Sequence, residues 1–329
     1  MVWCAIIDME LDELETRTRE ALPEWRDAEL SLKVIEKGGS GRLFVRVSEQ
    51  DRGQSLILMH YSDDRSDNQR FASITDFLVR HRIPAPRIIE RREDENLLWV
   101  DDLGEVDLGD IGDEPWEGVR GAAYFSALET VFRLHSIHES EIPSDLPELE
   151  LSFDEALYQW EQEYFLNQYV ARFLSAKKAE ELKENSSLVQ LRCNLAVLPR
   201  SLVHRDFQST NVMVIGPQTF LIDYQGLRWG LPEYDLASLV YDPYTEFTDE
   251  QREELIDFYF ELKKQEEPEV GRDEFRELLH QCATQRLMQA MGAYGFLSEV
   301  KGKQEFLQHI PAARQRLLEI SGKPGGLPV

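Results

Sequence analysis

Cysteine is scarce: Cys4, Cys193 and Cys282 are the only three in 329 residues, and they are far apart and odd in number. With no Cys-x-x-Cys pair they support neither a disulfide framework nor a zinc knuckle, and three buried or half-buried thiols are expected. The seven histidines include no His-Glu-x-x-His and no dense ligand cluster. No run approaches the ~18 apolar residues needed to span a bilayer. Met1–Glu10 carries no basic leader, and its apolar stretch is too short for a signal segment, so the expected location is the cytoplasm. Positive charge is also short, with 36 Lys and Arg against 62 Asp and Glu and a net charge of -26. Such a surface repels nucleic acid and anionic membrane, and neither is expected as a partner. A phosphate-bearing cofactor is not excluded, because local basic groups, backbone N–H groups and a divalent cation govern that contact. There is no internal repeat or low-complexity tract.

What is present is a folded chain, 42% hydrophobic, long enough for two lobes. A helix over 9–22 is followed by strand-like runs at 30–35, 43–47, 55–59, 88–89 and 97–100, with a helix over 67–82 among them. Pro84 and Pro86 break that helix and demand an extended chain. After about residue 104 the pattern turns helical, at 117–137, 152–174, 187–198, 233–242, 248–264, 273–292 and 303–320. Two short strands near 212–215 and 219–222, punctuated by Gly216-Pro217, read as a hairpin. The fold class read from this pattern is α+β, in a bilobal arrangement. A small β-rich N-terminal lobe over 1–102 precedes a larger, mainly helical C-terminal lobe over 103–329.

The chemistry lies in His204-Arg205-Asp206, four residues, then Asn211, with Asp223 closing an apolar run 12 residues later. Two carboxylates and an amide on short loops between apolar strands can hold Mg²⁺ and the polyphosphate of ATP beside an acceptor hydroxyl. Asp206 is the candidate base or hydroxyl-orienting group, and Asn211 and Asp223 are the candidate metal ligands. Arg205 is placed either on the γ-phosphate or acidic substrate or in a salt bridge within the loop. Gln208 and Ser209 are substrate candidates or loop supports. Gly38, Gly39, Ser40 and Gly41 form a turn able to cover phosphate, set between two strands rather than between a strand and a helix. Trp99, Val100, Asp101 and Asp102 form the connector, whose exposed backbone is expected to meet the adenine edge. Gln225, Arg228 and Trp229 follow Asp223 and are expected to face the acceptor. Asp235, at an apolar helix start, is expected to brace the loop.

These motifs resemble the aminoglycoside phosphotransferase and choline kinase-like superfamily, a branch of the protein-kinase-like bilobal fold, and so imply that fold. The resemblance rests on Gly39-Ser40-Gly41-Arg42, Ile83-Pro84-Ala85-Pro86-Arg87, Asp102-Leu103-Gly104, Leu134-His135, the 204–211 and 222–225 segments, Tyr234-Asp235-Leu236 and Gln289 through Gly295. Within the superfamily the chain is similar to the sugar-kinase branch of bacterial cell-wall recycling, which phosphorylates the anomeric hydroxyl of N-acetylmuramate and N-acetylglucosamine. The resemblance implies an ATP- and Mg²⁺-dependent kinase acting on a small-molecule amino sugar, with Asp206 as catalytic base. A monomer is expected. One departure from the wider superfamily is the absence of a lysine in 56–60, with Arg42 or Arg46 as substitutes. The lactyl carboxylate of N-acetylmuramate would call for a cation, for which Arg205, Arg228 and Arg286 are candidates. Phosphorylation of aminoglycosides or other small alcohols, and a non-catalytic pseudokinase-like binding role, remain the alternatives.

Overall fold

The computed structural model describes residues 9–35, 42–62, 66–144, 146 and 149–322. The chain forms two compact units, the first drawn from Met1–Glu105, Ser144–Pro147 and Phe220–Gln225 and the second from the rest.

In the first unit, α1 (Leu11–Ala21) precedes the strands β1 (Leu30–Ile35), β2 (Arg42–Glu49) and β3 (Gln54–Tyr61). Then come α2 (Ser66–Arg80), β4 (Ile88–Arg92) and β5 (Leu97–Asp101). The sheet order is β1-β2-β3-β5-β4, antiparallel throughout. Alternation along β2 turns Val45 and Val47 inward. The registers align Val34, Val45, Leu58 and Trp99 in one row across four strands. Leu14, Ala21, Leu22 and Trp25 join Val45, Val47, Leu58, Leu97 and Trp99 in one apolar cluster, so α1 and the turn after it cover this face. The buried Trp99 indole satisfies its N–H on Thr18 Oγ1 of α1 at 3.0 Å.

The first unit extends past the boundary read at 102 and gains a distant segment. Arg46 of β2 grips Asp102, the Gly104 carbonyl and Glu105. Leu221 donates its N–H to the Pro84 carbonyl at 2.9 Å. The Tyr224 ring stacks on Phe71 at 5.4 Å, and its hydroxyl bonds Thr75 at 2.7 Å. Sequence periodicity carries no trace of such contacts.

The second unit contains α3 (Gly121–His135), α4 (Glu155–Phe165), α5 (Ala176–Lys183) and α6 (Ser186–Ala196), then β6 (Ser201–Val203) and β7 (Val212–Ile215). The strand β8 (Gln218–Leu221) pairs with β7 and runs into the 220–225 segment. After it come β9 (Arg228–Gly230), α7 (Pro232–Val240), α8 (Asp249–Glu266), α9 (Arg272–Glu299) and α10 (Ile310–Ser321). The expected helix over 152–174 is in fact α4 followed by a wider π-helical stretch, Leu166–Leu174. Neither α5, which buries only Ala179, nor β9, which pairs with β6, was legible in the periodicity.

The long α9 is buried along most of its length. It presses close to the π-helical stretch at Gly295, where an added Cβ would stand 2.2 Å from the Gln168 carbonyl oxygen. A Gly295→Ala protein is expected to lose about 3 kcal/mol of stability, because backbone on both sides leaves nothing soft to yield. Thermal unfolding checks this, and an unchanged midpoint would refute the close approach.

Candidate active site

The strand β6 delivers the chain into His204-Arg205-Asp206, with Leu202, Val203 and Phe207 fully buried as apolar anchors on either side. Between them the backbone turns sharply, and Arg205 takes φ +78°. Asp235, in the first turn of α7, holds that turn. Its carboxylate accepts the His204 N–H at 2.6 Å and the Arg205 N–H at 2.8 Å, and it bonds His135 Nε2 at 3.1 Å. His135 Nδ1 in turn contacts the Tyr259 hydroxyl at 2.6 Å. The helix N-terminus and these partners compensate a fully buried charge. The bracing role expected of Asp235 is the one observed. Asp242 fixes the far side of the loop by accepting the Ser209 N–H at 2.7 Å and the Tyr244 N–H at 3.0 Å.

Asp206 projects from this frame with its side chain partly exposed. Arg205 Nη1 donates to its Oδ2 at 2.5 Å, and Arg286 Nη2 lies 3.7 Å from its Oδ1. Burial opposes the carboxylate's charge, yet Arg205 and Arg286 bring its pKa down to about 2. Burial likewise opposes the Arg205 charge, and Asp206, Tyr234 and Glu161 outweigh it, so its pKa is raised. Glu161 of α4 is itself buried, accepting from the Tyr234 hydroxyl and Gln285 Nε2, both at 3.0 Å. Asn211 donates Nδ2 to the Asp206 carbonyl at 2.9 Å. That bond fixes the amide by its nitrogen and leaves the oxygen as an acceptor, the end a hard cation would take.

Asp223 belongs to the first unit. It stands in the left-handed region, at φ +59°, with its side chain more than half exposed. Arg42 Nη1 approaches its Oδ1 at 3.9 Å. The Arg42 guanidinium is buried and donates Nε to Asn68 Oδ1 at 2.6 Å, while Asn68 donates to the Ser62 carbonyl at 2.9 Å. Arg46 is differently placed. Its hydrogen bonds to Asp102, at 2.6 and 3.0 Å, and to Glu105 raise its pKa and occupy the fork. Arg46 therefore ties β2 to the connector and is not available to phosphate.

The connector also departs from expectation. Trp99 is core, and Trp99 and Val100 lie on an interior strand, laddered on both sides to β3 and β4. The Asp101 N–H goes to the Arg87 carbonyl at 3.0 Å and its carboxylate to the Arg87 side chain. The exposed backbone expected at 99–101 is thus already paired, and the ladder ends at Asp101. Gly38, Gly39, Ser40 and Gly41 lie outside the described residues.

Among the remaining candidates, Gln208 accepts from Arg286 Nη2 at 3.1 Å and donates to Thr210 Oγ1 at 3.1 Å, so it sits beside Asp206. Arg286 is anchored on Ser238 Oγ at 3.0 Å and on Gln289. Ser209 is wholly buried, which makes it a loop support, and Gln225 is also buried. Trp229 is half-buried in β9, where its carbonyl accepts the Phe153 N–H at 2.9 Å. Arg228 stacks over Phe153. Sequence reasoning missed Glu161, Asp242 and Asn68. Only Asp242, in a Tyr241-Asp242-Pro243 turn, carried a local signal.

A β-rich unit and a larger helical unit, with an Asp loop and its amide braced between short strands, define a kinase-like phosphotransferase. The chain belongs to the phosphotransferase enzyme family, whose profile matches residues 31–278. It is 24% identical over 301 residues to an N-acetylmuramate/N-acetylglucosamine kinase of Pseudomonas putida, covering 89% of this chain and 84% of that one. A protein of the same description from Neisseria meningitidis is 23% identical over 283 residues, 85% of this chain and 82% of its own. Among solved structures, a choline/ethanolamine kinase family protein from Mesorhizobium loti superposes with a TM-score of 0.63 at 16% identity, covering 94% and 95% of the two chains. The ADP-bound aminoglycoside phosphotransferase APH(2'')-Ib gives 0.62 at 13%, covering 95% and 99%. Among the described residues no helix is long and apolar enough to cross a membrane.

Proposed function

We propose that the protein is an ATP- and Mg²⁺-dependent kinase that phosphorylates the anomeric hydroxyl of N-acetylmuramate or N-acetylglucosamine. The observation that carries this reading is Asp206, an ionised carboxylate held on a loop braced at both ends by buried Asp235 and Asp242. Phosphoryl transfer asks little covalent chemistry of a protein and much positioning, which such a frame supplies. Asp206 orients the acceptor hydroxyl and takes its proton as that oxygen bonds the γ-phosphorus and the bond from this phosphorus to the bridging oxygen breaks, releasing ADP. The Asn211 oxygen and the exposed Asp223 carboxylate suit a hard divalent ion, and they stand at the entry and just past the exit of one hairpin. Asn211 and Asp223 would be the ligands of Mg²⁺, and the ion would supply neutralisation of the phosphate charge. Arg42, pinned by Asn68, takes the phosphate-pairing task of the absent lysine, since Arg46 is committed elsewhere. The anomeric acceptor rests on the two named sugar-kinase relatives.

The deciding measurement incubates the protein with ATP, Mg²⁺ and a panel of N-acetylmuramate, N-acetylglucosamine, aminoglycosides and choline, with phosphorus NMR as readout. Anomeric sugar phosphate is the expected product. Phosphorylation of aminoglycosides or choline with none on the sugars would reverse the assignment, and turnover of nothing would favour a binding role.

A further inference from the structure

Of the inward arginines of the second unit, Arg228 is the one beside the Asp206 loop with no carboxylate partner among the described residues; Arg120 has none either, but it donates to the Glu246 carbonyl and stacks on Trp116 and Phe247. Arg205 holds Asp206, Arg252 holds Asp249, and Arg316 caps the carbonyls of Asp242 and Thr245. Arg286 donates to two amide oxygens and a hydroxyl. Arg228 donates only Nε, to the Gly226 carbonyl at 3.0 Å, and among the described residues no carboxylate comes within ion-pair distance of it. Burial and the neighbouring Arg205 charge both lower its pKa, and Glu150, Asp206 and Glu161 offset this only from a distance. A half-buried cation without an ion-pair partner is costly, and it is conspicuous in a chain of net charge -26.

Its surroundings make it a fixed receptor. The guanidinium carbon lies 5.4 Å from the Phe153 ring centroid, and Phe153 is fully buried and stacked on Tyr158 at 5.0 Å. Gly230 brings β9 so close that a Cβ there would stand 2.7 Å from the Phe153 ring. In register, Arg228 pairs with Val203, two residues before Arg205. Gly226, whose carbonyl orients Arg228, lies against the His204 carbonyl and the Arg205 stem. One face and Nε are therefore used, leaving the two terminal nitrogens as a fork beside the Asp206 loop, the geometry that receives a carboxylate.

We propose that Arg228 receives a carboxylate carried by the acceptor, so that the preferred acceptor is an acid-bearing sugar such as N-acetylmuramate rather than a neutral one. The inference rests on the reading of Asp206 as the group that meets the acceptor hydroxyl. The test measures kcat/KM for N-acetylmuramate, its carboxamide and N-acetylglucosamine with the wild-type protein and with Arg228→Met, which keeps an apolar stem over Phe153. A charge-assisted pair is worth about 1.5–3 kcal/mol, so the acid-to-neutral ratio should fall about 10–100-fold in the variant. The wild-type protein should discriminate against the carboxamide by a similar factor. An unchanged ratio, or a carboxamide used as well as the acid, overturns the proposal. The carboxamide arm needs no variant and so survives any folding defect. If the wild-type protein turns over no sugar, the kinase reading fails separately. Calorimetric titration with N-acetylmuramate and its carboxamide then decides the anion site, and equal or absent binding rejects it.

Discussion

An Asp206→Asn protein will turn over about 10²–10⁴-fold more slowly while keeping its affinity for nucleotide. The asparagine fits the same frame, because the bonds holding the loop run to backbone groups: Asp235 takes the His204 and Arg205 N–H groups, and Asn211 takes the carbonyl of residue 206. What is lost is the charge that orients the hydroxyl and accepts its proton. Steady-state rates with a parallel binding titration separate these effects, and an undiminished rate would remove Asp206 from its role. The pH dependence follows in sign. Arg205 and Arg286 overcome the burial of this carboxylate and depress its pKa to about 2, so it stays ionised as pH falls until that value is approached. An acid limb in activity above about pH 4 would therefore belong to another group.

Asp223→Ala should abolish the Mg²⁺-dependent part of nucleotide binding, a loss of at least about 100-fold, at or beyond the upper end for outer-shell residues of metal sites. Stability should change little. The side chain is largely exposed, and an alanine at φ +59° costs only about 1–2 kcal/mol. Titrating ADP with and without Mg²⁺ checks this. Equal responses in the variant and wild-type proteins would rule out the ligand assignment.

The elements that carried their own period were readable. The alternation of β2, the 3–4 spacing along α3 and the breaks at Pro84 and Pro86 are local facts, and the structure keeps them. The Asp-loop signature was readable because its chemistry needs fixed spacing. The partners that make the loop rigid were not. Glu161 sits in an ordinary helical stretch, and its importance comes only from Arg205, Tyr234 and Gln285 converging on it. The fates of Arg42 and Arg46 diverge for a similar reason. Two arginines four apart on one strand look alike in sequence, yet one meets Asn68 and the other the Asp102–Glu105 connector. Trp99 shows the reverse error, where a connector position proves to be the centre of an apolar cluster.

Phe220–Gln225 pack within the first unit but are synthesised late. A ribosome finishes the first 105 residues long before Leu221 and Tyr224 exist, so the earliest-made part of the molecule emerges lacking two of its own fixing points. Pro84 and Thr75 must await a segment encoded in the second half of the message. A truncated N-terminal product would be an unfinished fragment rather than a spare module, and the two halves of this chain mature on one schedule.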